Sequence, residues 1–380
     1  FYKNGDNLII TAIFSENIAS GNFNVSLNST SSVLTFTSSG NNQLEQTYTV
    51  GSTDSTNGGS LIVTSFTTGT LVDSAGNSMT NTNVPSGSNM FGNSTIIIDT
   101  TLPTISNVSS IDGTYIIDNS INIKITFSES VIVNTSGGTP TLTLVTNTTT
   151  PSNTSINYSS GSGTNELIFV YTVVEGDITN NLDYSSTTAL TLNGGTIKDS
   201  AGNDSNLTLP SPNSSGSLGA NNNIIIDGIR PTVTSVTSDD DNRTYAVGQQ
   251  ISIKVHFSNP VVVIGVPTLI LSTGPSSTTS VGLDSKPSNN ILGGTYTVID
   301  GDSTNNLDYV DSDSLKLNSS IQDVNGNDVS LALPAPSASG SLGANSSIVI
   351  DGVSPAVTSF TINPSGNGSY KNGDSLTITA

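Results

Sequence analysis

Apolar and polar residues alternate with a period of two at three well-separated places in this chain. Ile121, Ile123, Ile125 and Phe127 fall on one side, with Asn122, Lys124 and Thr126 on the other. Ile251, Ile253, Val255 and Phe257 repeat the pattern, with Ser252, Lys254 and His256 opposite. Leu8, Ile10, Ala12 and Phe14 give it a third time. Period two is the signature of a strand with one face on a core. Within the middle stretch, 141–145, 166–174, 189–192 and 224–226 read as further strands, separated by turn clusters such as SSGSG and NGG. No segment carries a helical period.

These alternating blocks are copies of one unit. Tyr2, Tyr115, Tyr245 and Tyr370 each open a similar block, and the last copy stops at Ala380. DSAGN at Asp73 returns at Asp199, and as DVNGN at Asp323. IIID ends at Asp99 and Asp227, IVID at Asp351, and Pro103, Pro231 and Pro355 follow. Asp99, Asp227 and Asp351 stand 128 and 124 residues apart. A fixed period of this length marks a tandem array. The boundaries read as modules at 1–99, 100–227 and 228–351, with the start of another at 352–380. About seven short strands per module, with turns at this spacing, predict all-β, Ig-like sandwiches. Joined by a few residues around a proline, which restricts itself and its predecessor, they would form an elongated rod. The first block looks short of a strand ahead of Phe1, the pattern of a window on a longer array. The alternative is that 353–380 completes the sandwich of another subunit by strand addition.

Composition narrows the choices. Twenty-nine Asp and Glu stand against nine Lys and Arg, a formal charge of -20. That speaks against nucleic acid and anionic membranes as partners, since both need clustered cations. No stretch is apolar enough for membrane insertion, and no leader peptide is recognisable. With no cysteine, disulfides and thiolate metal sites are excluded. Acidic excess keeps a chain soluble, and it also supplies the hard oxygen ligands that Ca²⁺ prefers.

Three sets of acids are candidate Ca²⁺ ligands. In the DSAGN-type loops Asp73, Asp199 and Asp323 offer carboxylates, and Asn77, Asn203 and Asn327 offer amide oxygens. The same spacing also describes a turn in which Asp accepts from backbone N–H groups. The junction acids Asp99, Asp227 and Asp351 precede the linker prolines, and Glu16 and Glu129 close the FSE blocks. EGDITNNLDY from Glu175 and DGDSTNNLDY from Asp300 form the third set, with Asp177, Asp183, Asp302 and Asp308. They lack the EF-hand spacing and terminal Glu.

An enzyme is not expected. His256 is the one histidine and points outward, so no Ser–His–Asp arrangement can recur in the copies. Carboxylate pairs for glycoside chemistry have no aromatic-lined cleft to serve, with no Trp in the chain. Lys124 and Lys254 alternate outward, which argues against buried Lys–Asn cross-links. Sequons such as those at Asn107, Asn147, Asn206 and Asn318 are about as frequent as so much Asn, Ser and Thr makes by chance.

The ordered set D-G-x-x-P-T, Y-x-x-G-D, I-x-F-S-E and L-N-G-G-T-I-K-D-S-A-G-N resembles the bacterial Ig-like, cadherin-like repeats of giant surface adhesins and biofilm-associated proteins. The resemblance covers essentially the whole chain. It implies an Ig-like sandwich, an extracellular, cell-surface location, and a stalk, filament or adhesive role. Neighbouring modules or copies of the same protein are the expected partners, with a host or biofilm surface ligand besides. It also implies Ca²⁺ at module junctions. Asn259 stands where the other copies have Glu16 and Glu129, and DVNGN replaces DSAGN, which puts a third-module site in doubt. A glycan- or protein-binding array is the other reading. Loops that differ sharply between copies would favour it, and the 264–294 region diverges only mildly.

Overall fold

A computed structural model describes residues 1–30, 33–86, 95–149, 152–363, 368–375 and 377–379. The regular secondary structure of the described residues is nearly all β-strand. Its only helices are two single turns, Leu218–Asn221 and Leu342–Asn345. Each is capped by a serine, Ser217 or Ser341, whose hydroxyl accepts from the backbone N–H of Ala220 or Ala344. Four residues are too few to show a 3.6-residue period, which is why no helix was legible.

Two compact units divide the chain, Phe1–Asp227 and Gly228–Ala380. The first contains two separate hydrophobic clusters. One gathers Leu8, Ile10, Phe23, Phe36, Tyr48 and Ile98 with their neighbours. The other gathers Val108, Ile121, Phe127, Phe169, Tyr171 and Ile226 with theirs. The second unit has a single cluster around Val236, Ile253, Phe257, Leu271, Tyr296 and Ile350.

The alternating blocks are strands with the expected inward faces. Gln250–Phe257 alternates exposed or partly buried with buried residues along its whole length. Ser120–Asn134 does the same, and it runs on past Phe127 through the FSE block. Its pairing shifts register between Thr126 and Val131, a bulge that carries the strand from one partner to the next. It pairs antiparallel with Ile105–Ser109 on one edge and Thr164–Thr172 on the other, and further along with Thr196–Lys198. Thr141–Asn147 lies between Ser152–Ser160 and Leu190–Thr191. Ile224–Asp227 pairs parallel with Gly113–Ile116 and antiparallel with Ile178–Thr179.

The second unit repeats these pairings. Gln250–Phe257 lies between Val233–Thr237 and Ile291–Thr297, and Val349–Asp351 between Thr244–Ala246 and Ser303–Thr304. The region 264–294, expected as loop, is largely strand: Thr268–Ser272, Thr278–Gly282, Ser285–Ser288 and Ile291–Thr297. Its Ser, Thr and Gly content hid strands whose outer faces are polar.

In the first cluster Asn7–Ile13 pairs with Gln43–Thr49, and Asn22–Leu27 with Val33–Thr37 and Val63–Phe66. A further hairpin, Thr361–Asn363 with Thr377–Thr379, follows the last cluster.

Candidate functional site

The DSAGN-type loops are closed by their own aspartates. Asp73 Oδ1 accepts from the backbone N–H groups of Ala75 and Asn77, and its Oδ2 accepts from Asn77 Nδ2 at 2.7 Å. Those bonds, the side-chain amide first, hold the Asp73 carboxyl below the usual carboxylate range. Asp199 accepts from Asn203 N and Nδ2 in the same way. Asp323 accepts from the N–H groups of Asn325, Gly326 and Asn327 and from Asn327 Nδ2. This is the turn geometry, with the asparagine amide turned nitrogen-first toward the carboxylate. Asp199 and Asp323 are buried, and Asp73 is half-buried.

The EGD and DGD acids are likewise engaged. Asp177 Oδ2 accepts from the Tyr171 hydroxyl at 2.6 Å and from Val174 N at 3.2 Å. Asp302 Oδ2 accepts from Tyr296 at 2.6 Å and from Ile299 N at 3.1 Å. Asp183 and Asp308 bond Tyr184 N and Tyr309 N through Oδ1, and Asn213 N and Ser337 N through Oδ2. Burial, then the carboxylate partner, pushes the Tyr171 and Tyr296 phenols well above their ordinary value.

Asp54 is a member of the Tyr–Asp set that inspection of acidic blocks misses. It accepts from Tyr48 at 2.7 Å and from Gly51 N at 2.8 Å. Burial pushes the Tyr48 phenol up to about 12, with Ser29 opposing and Asp54 adding to the rise. The signal was available: an aspartate six residues after the tyrosine of a Tyr-Thr-Val triplet, at Tyr48, Tyr171 and Tyr296.

Within the first unit, predicted residues meet between the two hydrophobic clusters. One carboxylate oxygen each from Asp99, Glu129 and Asp199 lies within 4.8 Å of the others. Asp99 follows the isolated bridge between Tyr2 and Ile98, and its N–H donates to Tyr2 O. Glu129 is held by the bulge of Ser120–Asn134, and Asp199 by its own turn. Asn203 Nδ2, bonded to Asp199, also donates to the backbone carbonyl of Asp99 at 2.8 Å. Lys3 Nζ donates to Gly202 O at 2.9 Å, a contact no motif pointed to. The carboxyl of Glu129 is pushed above its ordinary range by burial, then by Asp99 and Asp199. A recess of about 290 Å³, lined by Phe1, Asn57, Ile98, Asp99, Thr101 and Glu129, opens beside it.

The remaining candidates are not gathered. Glu16 and Asp351 are exposed, and Asp227 is half-buried. Asp351 Oδ1 accepts from Val353 N at 3.4 Å. Asn259 accepts from Ser258 Oγ at the surface. His256 shares a hydrogen bond with Thr237 Oγ1, and burial, then Lys254, holds its pKa below the ordinary value against Asp239. Lys124 pairs with Glu166 at 3.1 Å, with both side chains more than two-fifths exposed. Lys254 pairs with Asp239.

No protein-family model and no curated protein matches this chain.

Proposed function

We propose that this chain is a structural array of tandem Ig-like sandwiches from an extracellular microbial surface protein, acting as a stalk or filament and stiffened at its joints by Ca²⁺. The observation that carries the reading is the joint at Asp99. Two modules with separate cores are tied there by Asn203 to Asp99 O and by Lys3 to Gly202 O. Three carboxylates from both sides converge at the same place. A contact surface made of hydrogen bonds and acids, between two apolar cores, suits a hinge that must be held straight.

The donor chemistry fits a hard cation. Ca²⁺ takes six to eight oxygens, with carboxylates, carbonyls and water mixed freely. Asp99, Glu129 and Asp199 would supply the carboxylates, and the cation would relieve a repulsion that the fold otherwise carries.

Every candidate acid in the loops of the individual modules already has a structural partner, which favours a spacer over an array of separate metal sites. Thermal melting in EGTA and in added Ca²⁺ tests the reading. A rise with Ca²⁺ that disappears in Glu129→Gln is expected. An identical melting profile in both solutions sinks the cation part, and a compact particle in solution scattering sinks the array.

A further inference from the structure

Two turns of this chain carry the same triplet, Asn-Gly-Gly, in different surroundings. Asn57-Gly58-Gly59 follows the buried Asp54, and Asn193-Gly194-Gly195 joins Leu190–Thr191 to Thr196–Lys198. Both asparagines stand at a φ of +50°, and the glycines after them at +78° and +87°. One backbone bond closes each turn, Gly59 N to Thr56 O at 2.9 Å and Gly195 N to Leu192 O at 2.8 Å. Positive φ at both central residues is the type I′ turn, which Asn-Gly favours.

The side chain of Asn193 is held. Its Nδ2 donates to Thr141 Oγ1 at 2.9 Å and to Thr139 O at 3.3 Å, and its Oδ1 accepts from Thr191 Oγ1 at 3.5 Å. The backbone there is crowded, since a Cβ on Gly194 would lie 2.4 Å from the Gly137 carbonyl oxygen. Asn57 is exposed, and its side chain has no hydrogen-bond partner among the described residues. A Cβ on Gly58 would meet nothing within 4 Å.

The copies of this loop in the other two clusters show what Asn57 lacks. Asp54-Ser55-Thr56-Asn57 aligns with Asp177-Ile178-Thr179-Asn180 and with Asp302-Ser303-Thr304-Asn305. The next residue in those copies is Asn181 or Asn306. Its backbone N–H donates to the hydroxyl of Thr179 at 3.3 Å or Thr304 at 3.4 Å, and its Nδ2 to the carbonyl of Gly219 or Gly343 at 2.7 Å. In the first cluster the same position is Gly58, with no side chain to anchor it. The Thr56 hydroxyl is turned instead to the backbone of Ile98, accepting from its N–H at 3.1 Å. Among the described residues, Gly58 N is left without an acceptor.

A backbone nitrogen without an acceptor, next to an unheld carboxamide and with no Cβ in the way, is free to cyclise on its neighbour. Gly58 N attacks Asn57 Cγ. The N–Cγ bond forms, the Cγ–Nδ2 bond breaks, and Nδ2 leaves as ammonia with the proton from Gly58 N. Water then opens the five-membered imide at either carbonyl. The product is aspartate at position 57, or its isomer with the main chain routed through Cγ. One water is consumed and one ammonia released, and no oxidant or cofactor is needed.

We infer that Asn57-Gly58 is a site of spontaneous deamidation in the native protein, and that the fold protects the identical triplet at Asn193. Two further Asn-Gly pairs are guarded at the attacking nitrogen. Gly5 N, after Asn4, donates to Val50 O at 2.9 Å, and Gly326 N, after Asn325, donates to Asp323 Oδ1 at 2.7 Å. Asn57 shares a recess with Asp99 and Glu129, so each event adds a third carboxylate to its lining. The inference concerns the covalent chain and does not rest on a cation at Asp99.

Peptide mapping of the purified 380-residue chain tests it. The chain is incubated at mildly alkaline pH, native in one arm and unfolded in urea in the other, then cut ahead of its aspartates and read by mass spectrometry. Asn57 is the only asparagine in the fragment 54–72, and Asn193 the only one in 183–198. The pairs at Asn367 and Asn372 fall on another fragment. A new aspartate at 57 also releases 57–72, which is counted with 54–72. Each native rate is divided by its rate in urea, which removes the difference between the Thr and the Leu ahead of the two asparagines. The ratio for Asn57 should exceed that for Asn193 at least about tenfold, since freeing Asn193 breaks two hydrogen bonds from its amide. An isoaspartate methyltransferase should label 54–72 and leave 183–198 unlabelled in the native arm. Equal ratios overturn the inference. So does a native 54–72 that stays unmodified while the unfolded one reacts, because the fold would then protect both turns.

Discussion

Removing one oxygen atom from Tyr171 should destabilise the hydrophobic cluster it belongs to and leave the other two alone. The Tyr171 ring is buried, and its hydroxyl donates to Asp177 Oδ2 at 2.6 Å. Asp177 is itself only 6% exposed, and the same oxygen otherwise accepts only the longer bond from Val174 N. Tyr171→Phe keeps the ring and its packing but strips a short, charge-assisted bond from a buried carboxylate. Such bonds contribute about 1.5–3 kcal/mol, and an unsatisfied buried acceptor falls at the upper end. For a module of this size, a loss of about 2 kcal/mol lowers the midpoint by roughly 8 °C. Differential scanning calorimetry on the whole chain should show one component moved and the rest in place. Tyr158→Phe is the control, because the Tyr158 hydroxyl accepts from Ser162 N at the surface, where its loss should shift the midpoint far less. If Tyr171→Phe melts like the wild type, Asp177 does not depend on the tyrosine hydroxyl for stability.

Three further outcomes follow from the same contacts. Glu129 has a folded-state pKa above its unfolded value, so the native state holds its proton longer. Stability of the Asp99 joint should therefore fall as pH rises from the ordinary glutamate range through the raised value, in EGTA. Glu129→Gln should flatten that dependence, raise the melting temperature in EGTA at neutral pH and remove any gain from Ca²⁺; a steeper pH dependence in the variant would contradict the carboxylate cluster. Asn203→Ala removes the bonds to Asp199 Oδ2 and Asp99 O and should cost about 1–2 kcal/mol, read as faster hydrogen exchange around 97–100. Gly138→Ala should cost about 3 kcal/mol, since its Cβ would fall 1.7 Å from the Asn193 carbonyl oxygen at a φ of +151°; a neutral effect would mean that the two loops are not in contact.

Strands were legible where one face is apolar. Ile121 to Phe127 and Ile251 to Phe257 announce themselves because alternation and burial coincide. The extension of Ser120–Asn134 past Phe127 was not legible, because Ser128, Glu129 and Ser130 interrupt the apolar positions while the alternation of burial continues. Strands such as Ser285–Ser288, exposed throughout, carry no pattern to find. The acids show the same limit. Repetition identified Asp177, Asp199, Asp302 and Asp323 as special, but repetition is produced equally by a ligand and by a turn. Their partners are backbone N–H groups, asparagine amides and tyrosine hydroxyls; the DSAGN spacing admitted the turn beside the ligand reading, and the six-residue spacing from Tyr171 to Asp177 and from Tyr296 to Asp302 gains meaning only once the fold shows the bond. Asp99, Glu129 and Asp199 come together across distances of 30 and 70 residues, so only the fold could separate them from Glu16 and Asp351.

The central proposal is an array of sandwiches held in line, and small-angle scattering of the chain at high dilution tests it most directly. Three sandwiches of roughly 40 Å each, end to end, give a radius of gyration of about 35 Å. A compact globule of the same length would give about 21 Å. The account predicts the larger value in Ca²⁺, with increased flexibility in EGTA. A value near the smaller figure, unchanged by EGTA, would contradict it.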